Sequence, residues 1–509
     1  MSAFFKSIAM CFSGGGYRAA CFSLGAISLF EKIDLLDKVK AISTVSGGTI
    51  TGVKYAQSQI DALNFDSFYS DYYNWLTDDN LTERAISHIK ADAIWKKEEN
   101  KHKRKNPINA FAVEYNIFTS HRTLGDFEDC VINKKTHLDR VVFNATDFSS
   151  GLQFRFQNVK GTRLRFGNSN AHSKYKDLIP KIKLGDILAS SSAFPGGFEP
   201  IGFPTDFVKG YENKDEDDDE IGLMDGGIVD NQGASVFIKN DPKHNPHDLF
   251  FICDVASPYM KSFQFADKNS LTKYLTYLSS IPALLLVILM AIFFFKSGWW
   301  ILYTFSVILG VAMLCIQGVF LLASRYIKKA TGINQGLVIP PRRFGLFVID
   351  RAKSLIKMAT EVFLKNDRRQ NANSIYNAYG DITTTATIYE LRCKDGKPEY
   401  QRDWELIEGH IGSISDDIKA VSLKSANFGT TLWFSDDNKK ENVLDAIIAC
   451  GEFTACYNLL AHLIRYHEDK IKINNSEEQL LFQKLKSLWD EFSKDPYYLI
   501  NLRKTNAPL

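Results

Sequence analysis

Two stretches near the start of the chain decide the fold: Ser7-Ile-Ala-Met-Cys-Phe-Ser-Gly-Gly-Gly-Tyr-Arg18 and Val39-Lys-Ala-Ile-Ser-Thr-Val-Ser-Gly-Gly48. Each has a short apolar run, then a turn of small residues, then a segment with helical spacing. Residues 7–12 read as a buried strand, and Tyr17 to Glu31 as a helix with Cys21, Leu24, Ile27 and Leu29 among its apolar positions. Val39 to Val45 repeats the strand, Ser46-Gly47-Gly48 the turn, and a second helix starts at Thr49. Strand–turn–helix given twice in succession predicts parallel strands joined by crossover helices, hence a covered α/β sheet.

Further along, residues 62–138 look mostly helical and polar, with aromatics clustered from Phe68 to Trp75. Val141 to Asn144 and Gln153 to Gln157 resemble strands on either side of a turn at Asp147 to Gly151. Leu249 to Val255 reads as another buried strand, and Thr383 to Leu391 alternates like one. Val443 to Ile464 is an apolar-faced helix, and Ser476-Glu477-Glu478-Gln479 has the form of a capping box opening a last helix. The charge run Lys96 to Lys105 (KKEENKHKRK) reads as a solvated loop in preference to an anionic-lipid contact. The acidic stretch Asp215 to Glu220 lacks the alternating spacing of a calcium loop and also reads as solvated.

Composition sets the outer bounds. The chain has 509 residues, 45% hydrophobic and 24% charged, enough for a large core. Its formal net charge of +2 gives no global field to attract nucleic acid. Eight cysteines without a CxxC pair indicate reduced thiols, with neither a disulfide framework nor a zinc site. The N-terminus does not read as a signal peptide, because Lys6 interrupts its apolar stretch and no cleavage pattern follows. One segment breaks the soluble pattern. Leu278 to Phe295 and Trp299 to Ala323 are long, nearly charge-free runs separated by Lys296-Ser297-Gly298. A bilayer crossing needs about 20 helical residues. Residues 278–323 therefore read as a two-helix transmembrane hairpin, in preference to a buried pair of core helices. Trp299, Trp300, Tyr303 and Tyr326 lie near the run ends, and Lys273, Arg325, Lys328 and Lys329 on the flanks bias both ends to the cytoplasm. The expected organisation is a catalytic part over 1–270, a hairpin over 271–329, and the remainder of the catalytic domain with C-terminal helices over 330–509.

The turns carry the chemistry. Consecutive glycines at 14–16, before a helix, let backbone N–H groups converge on one spot where the helix end adds partial positive charge. Such a nest suits a phosphate or a developing oxyanion. A Walker A loop is excluded, because no Gly-Lys-Ser/Thr follows. Ser46, at the second strand-to-helix junction, fits either an exposed nucleophile on a sharp elbow or a simple helix N-cap. A serine nucleophile needs a base. Met224-Asp225-Gly226-Gly227 offers one, although Asp-Gly-Gly is also ordinary turn sequence.

Taken together, SGGGYR at 13–18, TVSGG at 44–48, DGG at 225–227 and the stretch Ala189-Ser-Ser-Ser-Ala-Phe-Pro-Gly-Gly-Phe-Glu-Pro200 resemble the patatin-like phospholipase family, over about residues 5–256. The resemblance implies a three-layer α/β/α domain with a mainly parallel sheet and a Ser-Asp dyad without histidine. It implies Ser46 as nucleophile and Asp225 as proton acceptor, with Gly14, Gly15, Gly16 and Gly47 forming the oxyanion hole. Arg18 would hold a headgroup or brace the loop. Ser13, Ala19 and Thr44 stand where the family commonly has Asp, Gly and Gly; none removes a catalytic group. The expected activity is that of a phospholipase A or lysophospholipase, with a neutral-glyceride lipase or a non-catalytic membrane scaffold as alternatives. No metal or cofactor is expected. The expected partners are membrane phospholipids and the bilayer itself. The expected location is a bacterial inner membrane, with the catalytic part and both termini cytoplasmic.

Overall fold

Among the described residues, eight strands make one sheet: β1 (Ile8–Phe12), β2 (Val39–Val45), β3 (Arg140–Asp147), β4 (Leu152–Gln157), β5 (Ile201–Phe203), β6 (Ile221–Asp225), β7 (Leu249–Asp254) and β8 (Thr383–Thr387). Their order is β5-β6-β3-β2-β1-β7-β8, with β4 also paired to β3. The central pairs β3–β2, β2–β1, β1–β7 and β7–β8 are parallel, whereas β3–β4, β3–β6 and β5–β6 are antiparallel. This is the mainly parallel α/β architecture that the two opening turns predict. The computed structural model describes residues 4–78, 80–161, 164–170, 175–210, 220–238, 245–257, 259–260, 262–265, 281–331, 350–394, 397–399 and 403–506.

The chain divides into two compact units, Met1–Pro258 with Leu364–Leu509, and Tyr259–Phe363. In the first, β1 and β7 are buried at every position, as strands covered on both faces must be. Helix α1 (Gly16–Lys32) follows β1, and helix α2 (Gly47–Ile60) follows β2. Two further helices matter below: α3 (Pro107–Phe118), capped by Asn106, and α4 (Leu184–Ser191). The C-terminal half supplies β8 and a long core helix, Val443–Ile471. That helix crosses α1 at backbone contact: a side chain on Gly25 would strike the Ile448 carbonyl, and one on Gly451 the Phe22 carbonyl.

The second unit contains helices α5 (Ile281–Lys296) and α6 (Trp300–Thr331), packed on each other and joined through Gly298 at φ 75°. Gly310 of α6 lets the pair approach, since a Cβ there would lie 3.3 Å from Val287. Leu285, Leu289, Phe293, Ile301 and Ile308 are exposed. Among the described residues, only Val443–Ile471 is both long and apolar enough to cross a bilayer, and its apolar window is wholly buried, as in a soluble core. The stretches Leu284–Lys296 and Trp300–Cys315 are shorter apolar helices. The first residues of the apolar run from Leu278, its Lys273 flank and the acidic loop 215–219 lie outside the described residues.

Three sequence expectations need correction. The stretch from Thr383 is a strand only to Thr387 and turns away after it. Ser476 caps its helix by accepting the Gln479 N–H at 3.0 Å, but the Gln479 side chain accepts from Asn475, so the reciprocal box is not made. The charge run 96–105 is mostly exposed, as a solvated loop would be, but not throughout. The Lys103 ammonium is fully buried, 2.8 Å from Asp186 of α4. Arg104 pairs with Asp206 at 3.1 Å and with Glu220, while Lys105 pairs with Asp92. The partners of Lys103 and Arg104 lie 83 to 116 residues away along the chain, which a local reading of the run does not register.

Candidate active site

Strand register brings the two candidate side chains together. Val45, which precedes Ser46, pairs with Asn144 of β3, and the next β3 residue, Ala145, pairs with Asp225 at the end of β6. Ser46 sits at the first turn of α2 with φ 50° and ψ −121°. A non-glycine residue held there is strained, as a sharp nucleophile elbow requires. Its side chain makes no capping bond, so the N-cap alternative for its hydroxyl falls away. The hydroxyl instead lies close enough to the Asp225 carboxylate to favour its ionised form.

Asp225 is 4% exposed. Burial raises its carboxyl from the ordinary value of 3.8 to about 6, against the opposing pull of Ser46 and of the Gly227 N–H. That N–H donates to Asp225 Oδ1 at 2.7 Å. A carboxylate raised this far is still ionised at neutral pH and is a better base than a solvated aspartate. Among the described residues, no histidine contributes to its environment.

The glycine turn is assembled as a nest, with one exception to the sequence expectation. The Gly14 N–H donates to the Asn231 carbonyl at 3.0 Å. It is already satisfied and does not point at an oxyanion. Gly15, Gly16 and Gly47 are the N-cap of α1 and the first residues of α1 and α2, whose N–H groups have no intrahelical acceptor. Gly47 packs directly on the Gly16 backbone, so two helix N-termini meet at one place. From outside, the Thr430 and Thr431 carbonyls press on Gly16, and Thr431 accepts the Tyr17 N–H at 2.9 Å.

Arg18 lies on the bracing side of its two expected roles. It is 6% exposed and donates to the Phe428 carbonyl at 2.7 Å and to the Tyr389 hydroxyl at 3.1 Å. Burial lowers its pKa. It holds the segment that covers the glycine turn. The departures from the family pattern also find places. Ser13 accepts the Val255 N–H at 3.0 Å. Thr44 donates to Thr49 at 3.0 Å, and its methyl group occupies the space a side chain on Gly52 would need.

Sequence reasoning did not single out Ser191, Asn144 or Asn231. Ser191 stands in the quoted stretch 189–200, but nothing local marks which of its three serines turns inward. The Asn144 side chain donates to Ser43 at 2.9 Å and to the Thr44 carbonyl at 3.0 Å beneath the elbow. Asn231 ties the Asp-Gly-Gly turn to the glycine turn through its carbonyl.

Residues 10–238 match the family model described as patatin-like phospholipase. They are a patatin-like phospholipase domain. The matched segment contains Ser46, Asp225 and both glycine turns, and the match supports a lipase or phospholipase type of hydrolase activity. The crystal structure of VipD from Legionella pneumophila aligns over 99% of this chain and 87% of that chain, at 10% identity and a TM-score of 0.25. That score carries no argument about fold or function. No curated protein matches the chain.

Proposed function

We propose that this patatin-like chain hydrolyses carboxylic esters of membrane glycerophospholipids, as a phospholipase A or lysophospholipase, through a Ser46–Asp225 dyad. The observation that carries this reading is the strained-elbow serine that strand register sets beside the buried Asp225 carboxylate. Ser46 Oγ attacks the ester carbonyl as Asp225 takes its proton. The Gly15, Gly16 and Gly47 amides stabilise the tetrahedral oxyanion, each such donor being worth about 2.7–4 kcal/mol of barrier. Collapse expels the alcohol, which receives the proton from Asp225, and leaves Ser46 acylated. Water, deprotonated by Asp225, then attacks the acyl-enzyme, and fatty acid departs as Ser46 regains its proton.

The same proposal makes residues 278–323 a two-span membrane anchor inserted within the catalytic domain. It is supported by two nearly charge-free runs with basic flanks and by the apolar side chains exposed on α5 and α6. The test is fatty-acid release from phospholipid liposomes and, separately, from triglyceride emulsions. Ser46→Ala and Asp225→Asn are expected to abolish release. Full activity in Asp225→Asn rejects the dyad, and activity on triglyceride alone reassigns the substrate to neutral glycerides.

A further inference from the structure

The end of α4 touches both halves of the candidate dyad. Ser191, its last residue, is fully buried, and its hydroxyl oxygen accepts the Ser46 N–H at 3.0 Å. The same hydroxyl donates to the Asn144 carbonyl at 2.7 Å. It also shares a 2.8 Å hydrogen bond with Thr49, which is bonded in turn to Thr44 before the elbow. Two residues on, the Ala193 carbonyl accepts the Asp225 N–H at 3.0 Å. The Ser191 carbonyl faces the Gly226 N–H at 3.4 Å. One turn of chain therefore holds the amide of the serine through a side chain and the amide of the aspartate through a carbonyl.

We propose that Ser191 is a positioning residue that fixes the separation of Ser46 and Asp225 by clamping the strained Ser46 amide to the same turn of chain that holds the Asp225 amide. This rests on Ser46 and Asp225 being nucleophile and base. The Ser46 backbone lies in a sparsely populated region, and such conformations persist only where the surroundings over-determine them. The N–H bonded to Ser191 is the group that swings when φ of Ser46 relaxes. Without that bond the Ser46 Oγ moves relative to Asp225. Displacement of a reacting atom by about 1 Å reduces turnover on the order of 10²-fold.

The experiment compares wild type, Ser191→Ala, Ser191→Cys, Thr49→Val and Ser46→Ala. It measures kcat per site titrated with a fluorophosphonate, KM on phospholipid liposomes, and thermal stability. Ser191→Ala is expected to lose about 10²-fold in kcat with KM little changed. Ser191→Cys refills the volume with a weak acceptor and is expected to show a comparable loss, which keeps the test sound if the alanine variant folds poorly. Thr49→Val leaves the Ser191–Ser46 bond in place and is expected to lose less than either. Wild-type kcat per titrated site in Ser191→Ala or Ser191→Cys overturns the positioning role, as does a loss that follows melting temperature across the set. Turnover and labelling surviving in Ser46→Ala overturn the nucleophile assignment itself, a separate failure.

Discussion

Asp225 shows how one residue is tuned by its surroundings. Burial raises its carboxyl, and the Ser46 hydroxyl and the Gly227 N–H oppose that rise and hold its value to about 6. The proposed reaction needs the ionised form. The pH profile of kcat/KM on liposomes is therefore expected to have an acid limb near pH 6, falling about tenfold per pH unit below it. A limb near pH 4 would show that the carboxyl is not buried in the working enzyme. Asp225→Asn keeps the shape and removes the base, and is expected to lower kcat by about 10²–10⁴-fold. The stability sign runs the other way. A carboxyl raised in the folded state contributes stability below its unfolded value of 3.8, and that contribution is lost as pH rises to about 6. At pH 8 the asparagine variant is thus expected to melt no lower than wild type, so that lost turnover is not lost folding.

At the scale of elements, β2 and α2 meet through Gly52 and Thr44, the latter standing where the family commonly has Gly. A Cβ on Gly52 would lie 2.6 Å from Thr44 Cγ2 and 3.3 Å from Phe143. Gly52→Ala is expected to destabilise by about 1–3 kcal/mol through overpacking. Thr44→Gly in the same chain is expected to return part of that, a coupling a double-mutant cycle in urea reads directly. Additive effects would show that the two positions do not share the space. The strands and helices around both turns were legible from sequence because each has the period, the apolar run and the glycine punctuation of its type. Ser46 and Asp225 were legible for the same reason: each stands at a strand end in a turn of small residues. What could not be read was whatever depends on partners distant in sequence. Lys103 looks like any lysine in a charge run until Asp186 is brought to it. Gly14 looks equivalent to Gly15 and Gly16 until the Asn231 carbonyl claims its N–H. Ser191 is one of three consecutive serines, and only the fold turns it toward the elbow.

Across the whole molecule, burial and exposure are distributed in two contrasting ways. The first unit buries even a carboxyl: Glu452, opposite α1, accepts from Ser28 at 2.8 Å and is raised by burial to about 8, against the pull of Ser28 and Arg503. Between its unfolded value of 4.5 and about 8 only the unfolded chain ionises, so stability falls by about 1.36 kcal/mol per pH unit across that window. Glu452→Gln is expected to flatten the fall in melting temperature from pH 5 to 8. An unchanged slope would place the titration elsewhere. The second unit does the opposite and leaves leucine, isoleucine and phenylalanine facing outward. Leu289 is 63% exposed and Ile308 62%. Such surface is stable in water only if covered, and a bilayer covers it without further protein. A lysine at the centre of a spanning helix costs about 2.5–3.5 kcal/mol on the insertion scale. If residues 278–323 are the proposed anchor, the Leu289→Lys, Ile308→Lys double variant is expected to move the chain from the carbonate-resistant membrane pellet to the supernatant. Turnover of a short-chain soluble ester should be retained, because no residue of the dyad or the glycine turns is altered. If the double variant stays in the membrane pellet, these helices are not what holds the enzyme to lipid.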